Sequence, residues 1–559
     1  MIHEPARKSR RLARTSLLLF VILVTPVVIA FAGPVTVTKA NDATYGGTLI
    51  KPYFENANAP VTGCSAPCLT VDTQTSQPGT SGSFTLASAA SMYLWSPQFT
   101  SSTTAGAGTW TLDLWVAAAA YTNVPITLTN SQAAATPTTY QAMIKTNPSS
   151  YSTLEAANLG NVAFCTSVTC STELYSWLEG CGSAAPYGPC STSSTSATFW
   201  VKLTSAIAAN GGTLTIYMVF LPASTGFDGV YRGESPQLSS AYAQFDNGAN
   251  VFDLYFNGNT ATSSFSLGGN NAVSRQSTGN PISGGAAINV ISLTGYGASN
   301  RVNMIFTTPL PAGNPSYGEI AESYSEIQNG YAGNLQGLAA LCDSTTAGST
   351  TINAESEVVG NAGTLYAYVY VTSGTATKLA GTGGDAALTW YYAALAYPGT
   401  GSTSFSGIVS TTFYSAYAAS TPFHPITGSA QLYWCSVGSS VVGNPDGLYF
   451  NWGRARAPPP NGVAPTFAFG TLSSNTVSVS VYVANSAGTS TATVASSLQS
   501  PLLATTKSEI SMMFSASQVT IPANGYIEIV ILAPTGARTI YWGAGQPTDF
   551  QVSYMTRTT

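Results

Sequence analysis

The sequence predicts an all-β protein built from several antiparallel β-sandwiches that follow an N-terminal signal or anchor helix. Apolar and polar residues alternate along many short runs, and clusters of Gly, Ser, Thr, Asn and Pro separate these runs. Antiparallel strands joined by turns have this pattern. Of the 559 residues, 44% are hydrophobic, which is ample material for buried cores. The length corresponds to about three or four domains.

Three runs show the alternation most clearly. In 110–115, 213–218 and 477–483, every second residue is Trp, Leu, Ile, Met or Val, and the residues between them are mostly Ser, Thr or Tyr. A strand with one buried face and one solvent-facing face needs this period of two. We therefore expect all three runs to be half-buried strands.

The first 32 residues form a predicted export signal. Five basic residues within positions 1–15 precede a 17-residue apolar run over 16–32, which ends in the triplet Ala-Phe-Ala. A secretory signal peptide cleaved before Gly33 has this pattern. An uncleaved signal anchor is the alternative, although the run is short for a spanning helix and Pro26 interrupts it. Either interpretation places residues 34–559 outside the cell, in contact with the membrane only through this segment.

The cysteines predict disulfide bonds. The eight candidates are three close pairs, Cys64/Cys68, Cys165/Cys170 and Cys181/Cys190, and the widely separated Cys342 and Cys435. An even number of cysteines in an exported chain is typical of a disulfide framework. A zinc site is the competing interpretation, but zinc commonly uses histidine or matched cysteine pairs. Beyond the signal the chain offers one histidine, His424.

The charge balance excludes several classes of function. Only 7% of residues are charged, and beyond position 15 the chain carries 13 basic against 22 acidic residues. A chain without a basic face does not bind nucleic acid, and one this hydrophobic is not disordered. Because few carboxylates lose their charge in acid, little self-repulsion develops there. We expect the stability to change little between neutral and strongly acidic pH.

Composition divides the chain beyond the signal into four blocks. A Ser/Thr-rich strand block covers 40–117, and a β-domain that holds four cysteines covers 118–225. The third block, 226–468, runs through the Pro-rich segment 457–462, and the fourth covers 470–559. Each block is long enough for a small β-domain.

Two blocks resemble domains of exported proteins. The strands Trp-Val-Lys-Leu at 200–203 and Ile-Tyr-Met-Val-Phe at 216–220 resemble a domain of unknown function common in exported archaeal and bacterial surface proteins. The segment LYFNWGRARAPPPNGVAP at 448–465 resembles the end of a concanavalin A-like or laminin G-like sandwich. The resemblance implies that 118–225 is the first domain and 226–468 the second. It implies no single activity, because the fold hosts lectins, glucanases and structural modules alike.

The first and last blocks each contain a strong strand without an evident partner. These strands cover 109–115 and 477–483. We therefore expect 40–117 and 470–559 to be two halves of one jelly-roll-like sandwich, with the other domains inserted between them. Two independent small β-sandwiches are the alternative.

Catalysis would have to use carboxylates. A catalytic triad needs a histidine, and His424 lies between two prolines where a loop residue is expected. A glycosidase needs two carboxyl groups that face one cleft. The candidate sets are Glu355 with Glu357, and Glu319 with Glu322 and Glu326. Neither contains the aspartate of the concanavalin A-like glucanase motif. We predict no catalytic residues and no enzyme activity, with a glycoside hydrolase as the less favoured interpretation.

Metal ligands are also scarce. Laminin G-like sandwiches often bind calcium through carboxylates and carbonyl oxygens. Asp246, Asp253 and Asp446 lie near the predicted domain ends, where we interpret each as a turn former. We predict no metal site, and calcium is the one cofactor that the sequence leaves open.

Aromatic side chains could serve as platforms for sugars. Trp110, Trp200 and Trp452 fall on predicted strands and are expected in the cores, whereas Trp95 and Trp390 are undecided. The sequence thus predicts a cell-surface β-protein that binds a glycan or another surface ligand. Self-assembly of copies into a filament or layer is the alternative, because Ser/Thr/Tyr-rich strands leave sheet edges without charged residues.

Overall fold

A computed structural model confirms that the chain is an all-β protein. It describes residues 53–58, 68–72, 82–86, 91–96, 98–118, 120–182, 187–268, 271–282, 285–295, 302–310, 318–328, 335–342, 352–359, 364–370, 376–380, 388–397, 406–411, 413–414, 418–419, 432–439, 446–473, 475–500, 503, 505, 507–534, 538–542, 549–551 and 555–557. The predicted export signal and His424 lie outside this set. Within it, no helix has the length and apolar character needed to span a membrane.

Helical structure in the described residues is limited to single turns. One α-helix, α1, covers Gly248–Val251. Three 3-10 turns cover Pro148–Tyr151, Thr262–Ser264 and Pro460–Gly462. The architecture therefore depends on sheets.

Strands from both ends of the chain build one unit, which we name the outer sandwich. Its strands are β1 Tyr53–Asn58, β2 Cys68–Asp72, β3 Gly82–Leu86, β4 Ser91–Trp95, β5 Thr103–Ala105, β6 Gly108–Ala118, β31 Ser478–Ala484, β32 Ser490–Gln499, β33 Ser508–Ala516, β34 Val519–Ile521, β35 Tyr526–Leu532, β36 Arg538–Trp542, β37 Asp549–Gln551 and β38 Met555–Arg557. Their sheet orders are β1-β2-β4-β35-β31-β32, β3-β36-β6-β33 and β34-β5-β38.

The two ends of the chain interleave in these sheets. β6 pairs with β33, β36 and β37, and β4 pairs with β35. The predicted alternation holds, since Trp110, Leu112 and Leu114 on β6 are fully buried, as are Val479 and Val481 on β31. These side chains share one core. Burial of the apolar rows supplies the driving force for pairing strands that lie about 400 residues apart.

A second unit, the middle domain, follows β6. Its strands are β7 Thr122–Asn130, β8 Gln141–Thr146, β9 Val162–Cys165, β10 Glu173–Leu174, β11 Ser176–Cys181, β12 Ala197–Lys202, β13 Gly212–Phe220, β14 Arg232–Glu234 and β30 Thr466–Phe469. They form a five-stranded sheet, β10-β9-β13-β7-β30, and a four-stranded sheet, β14-β11-β12-β8.

Two strands of the middle domain come from the block that the sequence analysis grouped as 226–468. β14 pairs in parallel with β11, and β30 pairs with β7. Each adds a last strand to one sheet of the middle domain. The chain therefore enters and leaves the intervening unit along these sheets, a topology that composition alone does not reveal.

The third unit is the inner sandwich. Its strands are β15 Leu254–Asn257, β16 Phe265–Leu267, β17 Ala272–Thr278, β18 Ile288–Gly295, β19 Val302–Phe306, β20 Glu319–Ile327, β21 Leu335–Cys342, β22 Ile352–Val359, β23 Thr364–Tyr370, β24 Ala376–Ala380, β25 Thr389–Tyr397, β26 Ser406–Ser410, β27 Ala418–Ala419, β28 Tyr433–Ser439 and β29 Asp446–Arg456. One sheet has the order β17-β18-β29-β20-β25-β26-β27, with β15 on β29, and the other has the order β16-β19-β28-β21-β22-β23-β24.

Three of the predicted cysteine pairs are disulfide bonds. Cys165 bonds Cys170, Cys181 bonds Cys190, and Cys342 bonds Cys435. The last bond joins β21 to its neighbour β28. Disulfides of this number indicate an oxidising environment, which secreted and surface proteins share. The predicted Cys64/Cys68 pair falls outside the residues whose side chains are described.

Candidate functional site

The eight-stranded sheet of the inner sandwich is covered on both faces over part of its area. One face packs against the seven-stranded sheet through a core that includes Phe450 and Trp434. On the other face, Tyr392 and Trp452 form a cluster with Trp177 and Trp200 of the middle domain. Aromatic burial on this scale fixes the two units against each other.

A buried charge network lies within this aromatic interface; its members are Glu179, Glu322, Arg454 and Arg456. Arg454 Nε donates to Glu322 Oε2, and Arg454 Nη2 lies 3.1 Å from Glu179 Oε1. Arg456 Nη2 lies 2.7 Å from the second oxygen of Glu322. Tyr392 donates to that same oxygen at 2.7 Å. Glu179 belongs to β11 and the other three residues to β20 and β29, so the network joins the middle domain to the inner sandwich.

Four aromatic rings surround the Arg454 guanidinium. Its Cζ lies 4.5 Å from the ring centroid of Phe252, 4.6 Å from Trp452, 5.0 Å from Trp200 and 5.3 Å from Trp177. A cation enclosed by ring faces gains electrostatic stabilisation that partly offsets its lost hydration. Arg454 therefore contributes to the interface through both carboxylates and rings.

The charge network removes Glu322 from the catalytic candidates. Burial alone would raise the pKa of Glu322, but the charges of Arg454 and Arg456 outweigh it and lower that pKa to about 2. A carboxylate with both oxygens bound to protein cations does not act as a general acid. Glu319 is also buried. The side chains of Glu355 and Glu357 on β22 lie outside the described set.

The same sheet face continues beyond the covered area as a row of neighbouring residues, which we name the transverse row: Ser274, Ser292, Tyr449, Glu326 and Trp390. Each is the cross-strand partner of the next, on β17, β18, β29, β20 and β25. Trp390 and Tyr449 are half-buried, whereas Glu326 is 7% exposed. The row therefore places a mostly buried carboxylate between two partly exposed aromatic rings on the sheet surface.

Hydrogen bonds orient the polar groups of the row. Gln328 donates to Glu326 Oε2 at 2.7 Å. Tyr449 donates its hydroxyl to Gln276 Oε1 at 2.8 Å, and Gln276 Nε2 donates to Ser292 Oγ at 3.2 Å. Burial raises the pKa of Glu326. The row thus presents several amide and hydroxyl groups around one poorly hydrated carboxylate.

Tyr324 adds an unused hydrogen-bonding group beside the row. Its ring packs 5.1 Å from that of Trp390, and its side chain is 1% exposed. Its hydroxyl has no hydrogen-bond partner within the described part of the chain. Burial raises its pKa, and the charge of Glu326 raises it further, so the two groups lie close together. A buried polar atom without a partner is uncommon in proteins.

Two residues of the inner sandwich, one beside the row and one beside the charge network, adopt left-handed backbone conformations. Leu388, two residues before Trp390, has φ 59° and a side chain that is 69% exposed. Tyr414, whose hydroxyl donates to Glu179, has φ 56°. Bulky residues avoid this region, and such strain concentrates at functional sites. Residues far from the row, among them Leu159 and Ser497, share this conformation, so it does not by itself mark a site.

The other residues singled out by the sequence have structural surroundings. Asp246 accepts hydrogen bonds from Trp177, Tyr255 and Asn257. Asp253 accepts one from Gln141. The side chain of Asp446 lies outside the described set. Within that set, no group of three or more His, Cys, Asp or Glu residues gathers as metal ligands do.

The tryptophans that the sequence assigned to cores are buried. Trp110, Trp200 and Trp452 are at most 2% exposed, and Trp95 also proves to be buried, edge-on to Tyr526. Trp390 is therefore the one of the two undecided tryptophans that reaches a surface. Sequence reasoning noted it and Glu326 separately. It did not connect them, because their pairing depends on strand register.

Comparison with known proteins gives one relative by sequence. No established protein-family profile matches the chain. "Uncharacterized protein 562" of Sulfolobus islandicus rod-shaped virus 1 is 34% identical over 346 residues, which are 61% of this chain and 58% of that protein. The match therefore spans less than two thirds of the relative's length.

Solved structures show distant similarity to part of the chain. Peanut lectin is 11% identical with a TM-score of 0.23, over 39% of this chain and 97% of the lectin. The carbohydrate esterase vb_24B_21 of the Shiga toxin-encoding bacteriophage phi24B is 13% identical with a TM-score of 0.26, over 37% of this chain and 98% of the esterase.

Removal of one carboxylate from the charge network should destabilise the protein strongly. Glu322→Gln leaves Arg454 and Arg456 buried with a missing counter-charge, so we expect a loss of about 3–5 kcal/mol in the free energy of unfolding. Chemical denaturation measures it. Glu509→Gln, at an exposed carboxylate on β33, is the matched control and should leave the stability unchanged. A similar result for both variants would contradict the role of the network.

The buried carboxylates predict a pH dependence of stability that replaces the flat profile expected from the low charge alone. Burial raises the pKa of Glu155 to about 8 and also raises those of Glu179 and Glu234. The folded state then binds protons more tightly than the unfolded state, so the free energy of unfolding should increase as pH falls from about 8 to about 5. The contribution of Glu322 has the opposite sign and should be lost as pH falls from about 4 through 2.

Denaturation at pH 8, 5 and 2.5 checks this dependence. Glu155→Gln is the test variant, because it should raise stability at pH 8 and reduce the gain between pH 8 and 5. A steady loss of stability from pH 8 to 5 in the unaltered protein would contradict the assignment.

Proposed function

We propose that this protein is an extracellular, cell-surface binding protein whose ligand is a glycan, and that the transverse row is its binding site. The observation that carries the proposal is the row itself, where Trp390 and Tyr449 flank the carboxylate of Glu326. Sugar rings present apolar C–H faces to aromatic rings and hydroxyl groups to carboxylates and amides. A shallow site with these elements is suited to a sugar.

The surroundings support this assignment. Leu388 offers an exposed apolar side chain at the rim, and the buried ring of Tyr324 packs against Trp390. Four of the five row residues lie on strands that have a paired strand on each side. Their positions are therefore rigid, and little ordering is required on binding. The disulfides and the predicted export signal agree with a location outside the cell.

Loss of the tryptophan platform should abolish most of the binding. We expect Trp390→Ala to weaken affinity for a glycan identified by array screening at least about tenfold, which corresponds to about 1.4 kcal/mol. Titration calorimetry on the purified chain measures the affinity. Trp115→Ala removes a half-buried tryptophan of the outer sandwich and serves as the control. Absence of any glycan binding by the unaltered protein, or equal effects of both variants, would refute the proposal.

Self-assembly is a second candidate function with an observation of its own. Residues 457–506 contain no Asp, Glu, Lys, Arg or His. They supply β30 and β32, each the last strand of its sheet among the described strands. Phe469 on β30 and the nearby Leu472 are each 37% exposed. Uncharged edges with exposed apolar residues favour pairing between copies.

Electron microscopy of the purified, non-reduced protein tests this second function. Ordered filaments or layers are expected if the edges pair, and Phe469→Lys should disperse them by placing a charge at the edge of β30. Thr215→Lys adds the same charge on an exposed position of the interior strand β13 and should leave assembly intact. Discrete particles at high protein concentration would exclude the function.

A further inference from the structure

We infer that the transverse row accepts uncharged sugars and rejects acidic ones, with Glu326 as the residue that discriminates between them. This inference rests on the proposed glycan function. It concerns the chemical class of the ligand, which neither the composition nor the similarity to other proteins specifies.

The first argument is the lack of a counter-charge. No Lys, Arg or His side chain belongs to the row or to its hydrogen-bond partners in the described part of the chain. Arg454 and Arg456 lie on the same sheet face but are enclosed by Glu322 and the aromatic interface. The side chain of Arg275 lies on the opposite face of β17 from that of Gln276. It donates a hydrogen bond to the carbonyl oxygen of Asn259.

The second argument is the cost of bringing two negative charges together at this position. Glu326 is mostly removed from water, and the interaction between charges strengthens as the effective dielectric constant falls. A sugar carboxylate or sulfate against Glu326 would be both desolvated and repelled. Proteins that recognise such groups normally supply Arg or Lys for bidentate or ionic contacts.

The third argument is hydrogen-bond complementarity. Glu326 accepts one hydrogen bond from Gln328, so its carboxylate has further acceptor capacity for hydroxyl donors. The exposed Gln276 and the half-exposed Tyr449 of the Tyr449–Gln276–Ser292 chain supply groups that donate and accept. Neutral sugar hydroxyls can pair with the carboxylate and with the amide and hydroxyl groups of Gln276 and Tyr449, because each sugar hydroxyl is both a donor and an acceptor. An anionic group is an acceptor only, and it cannot pair with a carboxylate.

Paired ligands test the discrimination directly. The probes are an oligosaccharide of neutral hexoses that binds in the array screen and the same oligosaccharide with its hydroxymethyl groups oxidised to carboxylates. We expect the unaltered protein to bind the neutral form at least about tenfold more tightly than the acidic form. Glu326→Gln, which keeps the shape and removes the charge, should reduce the ratio to less than about threefold. Glu509→Gln is the control and should keep the full ratio.

A second variant keeps the inference testable if Glu326→Gln does not fold. Ser274→Lys places a cation at the half-exposed end of the row and should raise affinity for the acidic oligosaccharide relative to the neutral one. Thermal unfolding confirms that each variant is folded.

The outcomes separate the two proposals. If the unaltered protein binds neither probe and no other glycan, the proposed function itself fails. If it binds both probes equally through Trp390, the function stands and the inference about charge is overturned. An unchanged ratio in folded Glu326→Gln, or no gain for the acidic probe in folded Ser274→Lys, would overturn the inference as well.

Discussion

The arrangement of the middle domain and inner sandwich depends on a desolvated charge network, in which Arg454 pairs with Glu322 of its own unit and with Glu179 of the middle domain. Charges taken out of water are tolerated only when they are paired and enclosed. Here Glu179 and the four rings around Arg454 complete that enclosure. Because Glu179 comes from β11 and Arg454 from β29, neither domain can bury its own charge without the other. The interface is therefore specific as well as apolar.

This network also determines which part of the sheet face stays uncovered. The middle domain covers the sheet face at Glu322 and Trp452. It leaves uncovered the transverse row, which lies further along the same strands. Tyr324 is shared between the two areas, since it packs against both Trp452 and Trp390. Packing of Tyr324 in the covered area supports Trp390 of the row, and Trp390 and Tyr449 remain partly exposed to solvent. A binding site next to a rigid interface needs little reorganisation when it is occupied.

Local features of the fold were predictable from the sequence, whereas the separate positions of the β20 glutamates were not. The period of two over 110–115 and 477–483 identified strands and their buried faces correctly, because alternation is a local property. Three cysteine pairs were also correct, because close spacing limits the alternatives for Cys165/Cys170 and Cys181/Cys190 and leaves the distant Cys342 and Cys435 to pair with each other. The glutamates of β20 were treated as one cluster. Their strand in fact places Glu319 towards the inner core and directs Glu322 and Glu326 to the opposite face, where they have separate roles.

The sequence by itself determined the all-β class, the strand faces, the low charge and the close cysteine pairs, because each follows from residues near one another in the chain. The tertiary structure alone decided between one interleaved sandwich of the two chain ends and two separate ones. It alone also decided that β14 and β30 extend the middle domain and that Arg454 meets Glu322 and Glu179. It also decided that Trp390, Glu326 and Tyr449 form one row. These features depend on strand register and on contacts between residues up to hundreds of positions apart, which periodicity cannot specify.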